Sequence, residues 1–389
     1  MMSLISARFF AGALLAAGVT AAFPAAAERP TFDTTARNAI VVDFQTGAVL
    51  LDKNADQRMP TASMSKIMTA YVVYTYLRDD KVKLDDRLPV SEHAWRTGLN
   101  GDQSRMFVPY PGEVKVEDLL RGMIVQSGND ACVVLAEGLA GSESAFVDKM
   151  NETAEKLGLT NSHFATVHGL PAPDHYMSAR DLATLSRRLI QDFPQYYHYE
   201  AEKDFTYNGI KQGNRNPLLY KDLGADGIKT GHTEEAGYGL VGSTVRGGRR
   251  IIFVLAGMKS MKERASESER IAGWAYREFN DYTVAKSGEA IDDAPVWLGA
   301  QSKVPVATDK DLTVTLPRSA RRSMKVTAIY DHAVKAPIAK GQEVGKLVVS
   351  AADADTVEVP LVATQAVARL DALSRVGAAA GYLLWGRKN

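Results

Sequence analysis

Three short groups of residues in this chain could carry chemistry together. Ser63 and Lys66 stand three apart in Pro60-Thr61-Ala62-Ser63-Met64-Ser65-Lys66, with an apolar run behind them. On a helix beginning at Ser63 the two side chains share a face, and Ser63 sits at the positive end of the helix dipole. A serine hydroxyl is a weak nucleophile that needs an adjacent base. Lys66 can be that base if burial leaves its amine neutral. Alone the pair says little, because this spacing of Ser and Lys recurs about once by chance in a chain of this length. Ser127-Gly128-Asn129 interrupts an apolar segment. It is either a plain break between helices, or a place where Ser127 relays a proton to a leaving group and Asn129 orients Lys66 and a substrate amide. Lys229-Thr230-Gly231 follows Asp226-Gly227-Ile228 and precedes a hairpin. A cation, a hydroxyl and a glycine on an edge strand can receive an extended peptide. Lys229 and Thr230 would hold its carboxylate, and Gly231 would let the backbone approach. Lys286-Ser287-Gly288 repeats the residue types, but no hairpin follows it.

The elements that must position these groups are legible as periods. Two apolar runs, 38–43 and 47–52, read as a β-hairpin, and 239–245 with 251–256 read as a second one around Gly247-Gly248. Helical patterns cover 64–77, 116–139, 142–157, 178–191 and 266–279, with Gly158 as a C-cap. Strands at both ends with helices between them predict an α/β domain, residues 28–286, whose terminal segments share one sheet. Residues 287–362 show short strands and turn residues and predict a small all-β domain.

The two ends read differently. Residues 1–27 carry Arg8, an apolar run and Ala25-Ala26-Ala27, the pattern of a cleaved export signal. Residues 363–389 have helical spacing at Ala366, Leu370, Leu373, Gly377, Ala380 and Leu384. Four basic residues against one acidic give this tail +3. Its apolar run is too short to span a bilayer. It predicts either an interfacial helix on an anionic membrane or a helix packed on the β domain.

Composition excludes several classes. The 46 Lys+Arg balance the 46 Asp+Glu, so no basic domain points to nucleic acid. With one cysteine, Cys132, there is no intrachain disulfide and no Cys-based zinc site. Cys132 reads as a buried small hydrophobe. His-Glu-x-x-His and Gly-rich phosphate loops are both missing, so no metal or cofactor is expected. A Ser–His–Asp triad using His168 or His175 is conceivable, but Lys66 makes a histidine base unnecessary.

Together the three groups form the motif set of β-lactamases and penicillin-binding proteins. The sequence resembles the low-molecular-mass penicillin-binding proteins, specifically the serine D-alanyl-D-alanine carboxypeptidases of peptidase family S11. The likeness extends to Gln126–Ala131, to Lys156-Leu157-Gly158-Leu159-Thr160-Asn161, to Asp226-Gly227-Ile228-Lys229-Thr230-Gly231-His232-Thr233, and to Phe205-Thr206-Tyr207-Asn208-Gly209-Ile210 followed by Asn214-Arg215-Asn216. It implies a β-lactamase/transpeptidase-like catalytic domain, the all-β domain and the amphipathic tail. Ser63 would be acylated, Lys66 would take its proton, and Ser127 would assist the leaving amine. Asn129, Lys229, Thr230, Gly231 and Arg215 would bind substrate. The backbone N–H groups of Ser63 and His232 would form the oxyanion hole. The resemblance further implies peptidoglycan stem peptides as substrate, β-lactams as inhibitors, and a periplasmic enzyme attached peripherally to the inner membrane. Ser-Gly-Asn in place of Ser-Asp-Asn favours a peptidase over a lactamase. A D,D-endopeptidase and a low-turnover scaffold that shapes the wall are the alternatives.

Overall fold

The computed structural model describes residues 30–99 and 103–372, with Ser374 and Val376. The expected export signal lies outside these residues. A five-stranded antiparallel sheet organises the catalytic domain. Its order is Val49–Lys53, Asn38–Asp43, Arg249–Met258, Gly237–Arg246, Ala225–Thr233. Both expected hairpins form, and the segments from the two ends of the domain pair directly, Ile40 opposite Val254.

The period of two explains how this sheet is covered. Ile252, Val254 and Ala256 face one core with Ile40 and Val42, whereas Ile251, Phe253 and Leu255 face the other with Ala39 and Val41. A strand apolar on both faces must be covered on both. The first core is filled by the helices Lys66–Arg78, Asn129–Ala140 and Ala179–Asp192. The second is closed by Met261–Glu278 through Ile271, Trp274 and Ala275. Ser142, Ser178 and Ser260 cap their helices by accepting from Ala145, Asp181 and Glu263 N–H groups, each worth about 1 kcal/mol. Gly158 takes φ 71° as the C-cap.

Three expectations change. The single helix over 116–139 is two, Val116–Ile124 and Asn129–Ala140, because Ser127 takes φ 63° and turns the chain. The boundary expected at 286 lies before Phe279: strand Phe279–Ala285 pairs with Leu312–Pro317 of the second domain. The tail helix does not begin at Ala363. Strand Val357–Ala363 continues into residues whose backbones bond to Ile338 and Leu298. Val367, 2% exposed, fills the β-domain core, so tertiary packing outweighs the Ala-rich helical pattern. Asp371 then accepts from Ser374 N at 2.9 Å, a capping contact; the rest of the expected tail helix lies outside the described residues.

The second domain is all β as expected. Its six-stranded sheet runs Lys325–Ile329, Glu343–Ser350, Val357–Ala363, Lys303–Ala307, Asp292–Trp297, Val334–Lys335. Arg249 joins the domains: its Nε lies 2.9 Å from Asp43 and 3.0 Å from Asp281. Thr46 and Thr315 hydroxyls meet at 2.6 Å beside it. No described helix is long and apolar enough to cross a membrane.

Candidate active site

Ser63 lies in a 3₁₀ turn, Ala62–Ser65, that feeds the helix Lys66–Arg78. The helix therefore starts three residues later than a start at Ser63 would place it, yet Ser63 and Lys66 still meet. Lys66 Nζ is 2.8 Å from Ser63 Oγ. It also donates to Asn129 Oδ1 at 2.8 Å and to the His168 carbonyl at 2.6 Å. Those two oxygens can only accept. A neutral amine would give them its two hydrogens and turn its lone pair to the Ser63 hydroxyl. Burial favours that neutral state: with Arg215 adding to it, the side chain is pushed down to about 8.

Asn129 is delivered by the N-terminus of its helix, and Ser127 by the turn before it. Ser127 is one of the few non-glycine residues with positive φ, a conformation that concentrates at functional sites. Its hydroxyl is buried without a hydrogen-bond partner among the described residues. It lines the cavity that Ser63 and Asn129 line. Gly128 is required there: a Cβ would stand 3.0 Å from Met106 N and 3.2 Å from Gly122 O.

The edge strand Ala225–Thr233 forms the opposite wall. Gly231 packs on the nucleophile turn so closely that a Cβ would meet Thr61 O at 2.7 Å. Alternation then divides the strand. Thr230 and His232 face the cavity, where His232 stacks on Tyr238 with centroids 3.9 Å apart. Lys229, 4% exposed, lies on the Gly231 side and does not line the cavity. Burial, with Lys66 and Arg215 nearby, holds its ammonium well below the usual range. That shift favours its neutral form, whereas Thr230 and Arg215 line the cavity, where they are placed to touch a carboxylate. Arg215 lines the cavity and donates to Ser104 Oγ at 2.6 Å.

The cavity holds about 680 Å³. The structure thus brings Ser63, Ser127, Asn129, Arg215, Thr230, Gly231 and His232 to one cavity, with Lys66 bonded to Ser63 and Lys229 buried next to Thr230. It adds some that the sequence did not flag. Arg264, 6% exposed, lines the cavity from the helix Met261–Glu278 and donates to the Arg215 carbonyl. Gln103 accepts from Asn129 Nδ2 at 3.3 Å. Asp130 accepts from four backbone N–H groups, of Met106, Phe107, Val108 and Ala131. No motif marks Arg264 or Gln103; Asp130 stood one residue past Asn129 as a signal available but unused. Cys132 is buried as expected, and burial pushes its thiol up to about 11. Neither histidine of the conceivable triad reaches Ser63 as base: His168 offers its carbonyl to Lys66, and His175 bonds Ser65 instead. Among the described residues no cluster of potential ligands could hold a metal ion.

Residues 24–260 match the family profile described as D-alanyl-D-alanine carboxypeptidase, and residues 279–369 match that of the penicillin-binding protein 5 C-terminal domain. The chain is 43% identical over 325 residues to the D-alanyl-D-alanine carboxypeptidase DacC of Escherichia coli (strain K12), covering 82% of this chain and 80% of that one. It is 38% identical over 376 residues to the carboxypeptidase DacD of Salmonella typhimurium, covering 96% of each. Among solved structures, penicillin-binding protein 5 of Haemophilus influenzae superposes with TM-score 0.80 at 38% identity, over 87% of this chain and 99% of that one. Penicillin-binding protein D2 of Listeria monocytogenes, in its ampicillin-bound form, superposes with TM-score 0.57 at 30% identity, over 64% of this chain and 99% of its own.

Proposed function

Because the chain belongs to the peptidase S11 family and is a D-alanyl-D-alanine carboxypeptidase, we propose that it hydrolyses the terminal D-alanine from peptidoglycan pentapeptide stems through an ester on Ser63. The observation that carries this reading is the 2.8 Å contact between Ser63 Oγ and a buried amine whose other neighbours only accept. The Ser63 hydroxyl gives its proton to Lys66 as Oγ attacks the carbonyl carbon between the two D-alanines. The oxyanion falls to the backbone N–H groups of Ser63 and His232, and such donors contribute about 3 kcal/mol each in related acyl transfers. The C–N bond then breaks, and the leaving amine takes a proton relayed from Lys66 through Ser127. Thr230 and Arg215 hold the terminal carboxylate until D-alanine departs. Water attacks the ester, returns the proton to Ser63 and frees the shortened stem. β-Lactams acylate the same oxygen, as supported by the ampicillin-bound form of the Listeria protein.

Incubation with a muropeptide pentapeptide and a cross-linked dimer, followed by mass analysis, tests this. Loss of one alanine from the pentapeptide is the expected result. Preferential conversion of dimer to monomers would make the protein an endopeptidase, and no turnover of either would make it a scaffold.

We further propose an exported enzyme, held peripherally on the inner membrane by its basic tail. The export pattern in residues 1–27 and the +3 charge of residues 363–389 support this. Since residues 363–370 belong to the β domain, an informative truncation removes only residues 372–389. The shortened protein is expected in the soluble fraction with full carboxypeptidase activity; an unchanged membrane fraction would remove the tail as anchor.

A further inference from the structure

The proposed role of Ser63 leaves one buried polar chain unused. His175 Nδ1 lies 3.1 Å from the backbone N–H of Ala165 and 3.3 Å from that of Thr166. Backbone N–H groups only donate, so Nδ1 accepts and the ring proton sits on Nε2. Nε2 therefore donates to Ser65 Oγ, 2.8 Å away. Ser65 Oγ has two further partners, the Ala62 carbonyl at 3.0 Å and Thr61 Oγ1 at 2.6 Å. A carbonyl only accepts, so the Ser65 proton goes to Ala62 O and Thr61 donates to Ser65. Every proton in the chain has one direction, and the Ser65 hydroxyl has its full complement of two bonds accepted and one given. Burial, with His163 and Lys66 nearby, pushes the imidazole down to about 4, which keeps it neutral at pH 7.

The chain ends where the nucleophile is set. Ala62 adopts φ 47°, a left-handed conformation that a non-glycine residue holds only under constraint. Its carbonyl is pressed from above by Gly169, where a Cβ would stand 2.1 Å away. Gly169 follows His168, whose carbonyl holds Lys66. His175 thus ties together the loop that fixes the base and the turn that presents Ser63.

We propose that His175 and Ser65 form a positioning relay that holds the Ala62 turn, and so aims Ser63 Oγ at the substrate carbonyl; this rests on Ser63 being the nucleophile. Neither side chain touches the reacting atoms. Their effect belongs to the acylation step, because displacing a reacting group by about 1 Å can slow a reaction by about 100-fold.

The test is stopped-flow acylation by a fluorescent penicillin, resolving the first-order acylation constant from the dissociation constant of the encounter complex. Ser65→Ala is expected to lower the acylation constant about 10- to 100-fold with the dissociation constant unchanged. Ser65→Thr, which keeps the hydroxyl, is expected to restore most of it. His175→Leu is expected to lower the same constant by a like factor, and the double variant to lose no more than either single one, as members of one chain do. An unchanged constant in Ser65→Ala, additive losses in the double variant, or no rescue by Ser65→Thr would overturn the relay. Peptide mapping of the wild-type label separates this from the parent reading: a label away from Ser63 sinks the nucleophile assignment, whatever Ser65 does.

Discussion

Ser63→Ala is expected to carry no covalent label after incubation with a fluorescent penicillin that labels the wild-type protein. Ser63 Oγ is the only hydroxyl in the described cavity seen within 3 Å of a lysine amine. Ser127 Oγ shares the cavity but has no base bonded to it. Labelling that persists in Ser63→Ala would move the nucleophile to such a second hydroxyl. Lys66→Ala should keep a slow reaction at Ser63, reduced about 10²- to 10⁴-fold, the usual contribution of a positioned base. The pH dependence follows from the same amine. Lys66 must be neutral to accept the proton, and burial pushes it down to about 8. Wild-type acylation should therefore rise as pH increases and level off once pH passes about 8. A profile flat from pH 6 to 9 would show that Lys66 is neutral throughout or is not the base.

Asp130→Ala is expected to destabilise the catalytic domain by about 3 kcal/mol, because it strands buried donors. The carboxylate, 0% exposed, is held by N–H groups alone: Met106 at 2.9 Å, Phe107 at 2.9 Å, Val108 at 3.2 Å and Ala131 at 3.0 Å. Alanine leaves the first three amides without this acceptor, and each unsatisfied buried group costs about 1–3 kcal/mol before relaxation. For a domain of this size that lowers the melting temperature by roughly 6–12 °C. The same loop carries Ser104, whose carbonyl accepts from Asn129 N at 2.8 Å, and Gln103 beside it. Substrate binding should weaken even at temperatures where the variant stays folded. Thermal melts check the first effect, and an unchanged melting temperature would mean that the loop is held by its packing instead.

How much could be read in advance follows from the range of the forces. Continuous apolar runs such as Ile251 to Ala256, the helix starts near Ser142 and Ser178, and the C-cap at Gly158 are local, so all were visible in the sequence. The three motif groups were visible because each spans only a few residues, and their order suggested one site. What stayed hidden depends on distant contacts. Ser127 has a left-handed backbone, and Gly128 beside it packs against Met106 and Gly122. Lys229 is 4% exposed, a burial set by the packing of its strand and not by its three-residue motif. Arg264 comes from a helix read as beginning at 266, whereas Ser260 caps it and Met261 starts it. Ala366 belonged to a convincing helical stripe until Val367 found a place in the β core.

The joint at Arg249 has a mechanical meaning. One guanidinium grips a carboxylate from each domain, at 10% exposure and with threonine hydroxyls bonded alongside. Strand Phe279–Ala285 leaves the helix Met261–Glu278 with no intervening linker and enters the second domain already paired. With so little slack, the cleft and the far edge of the β domain turn as one lever.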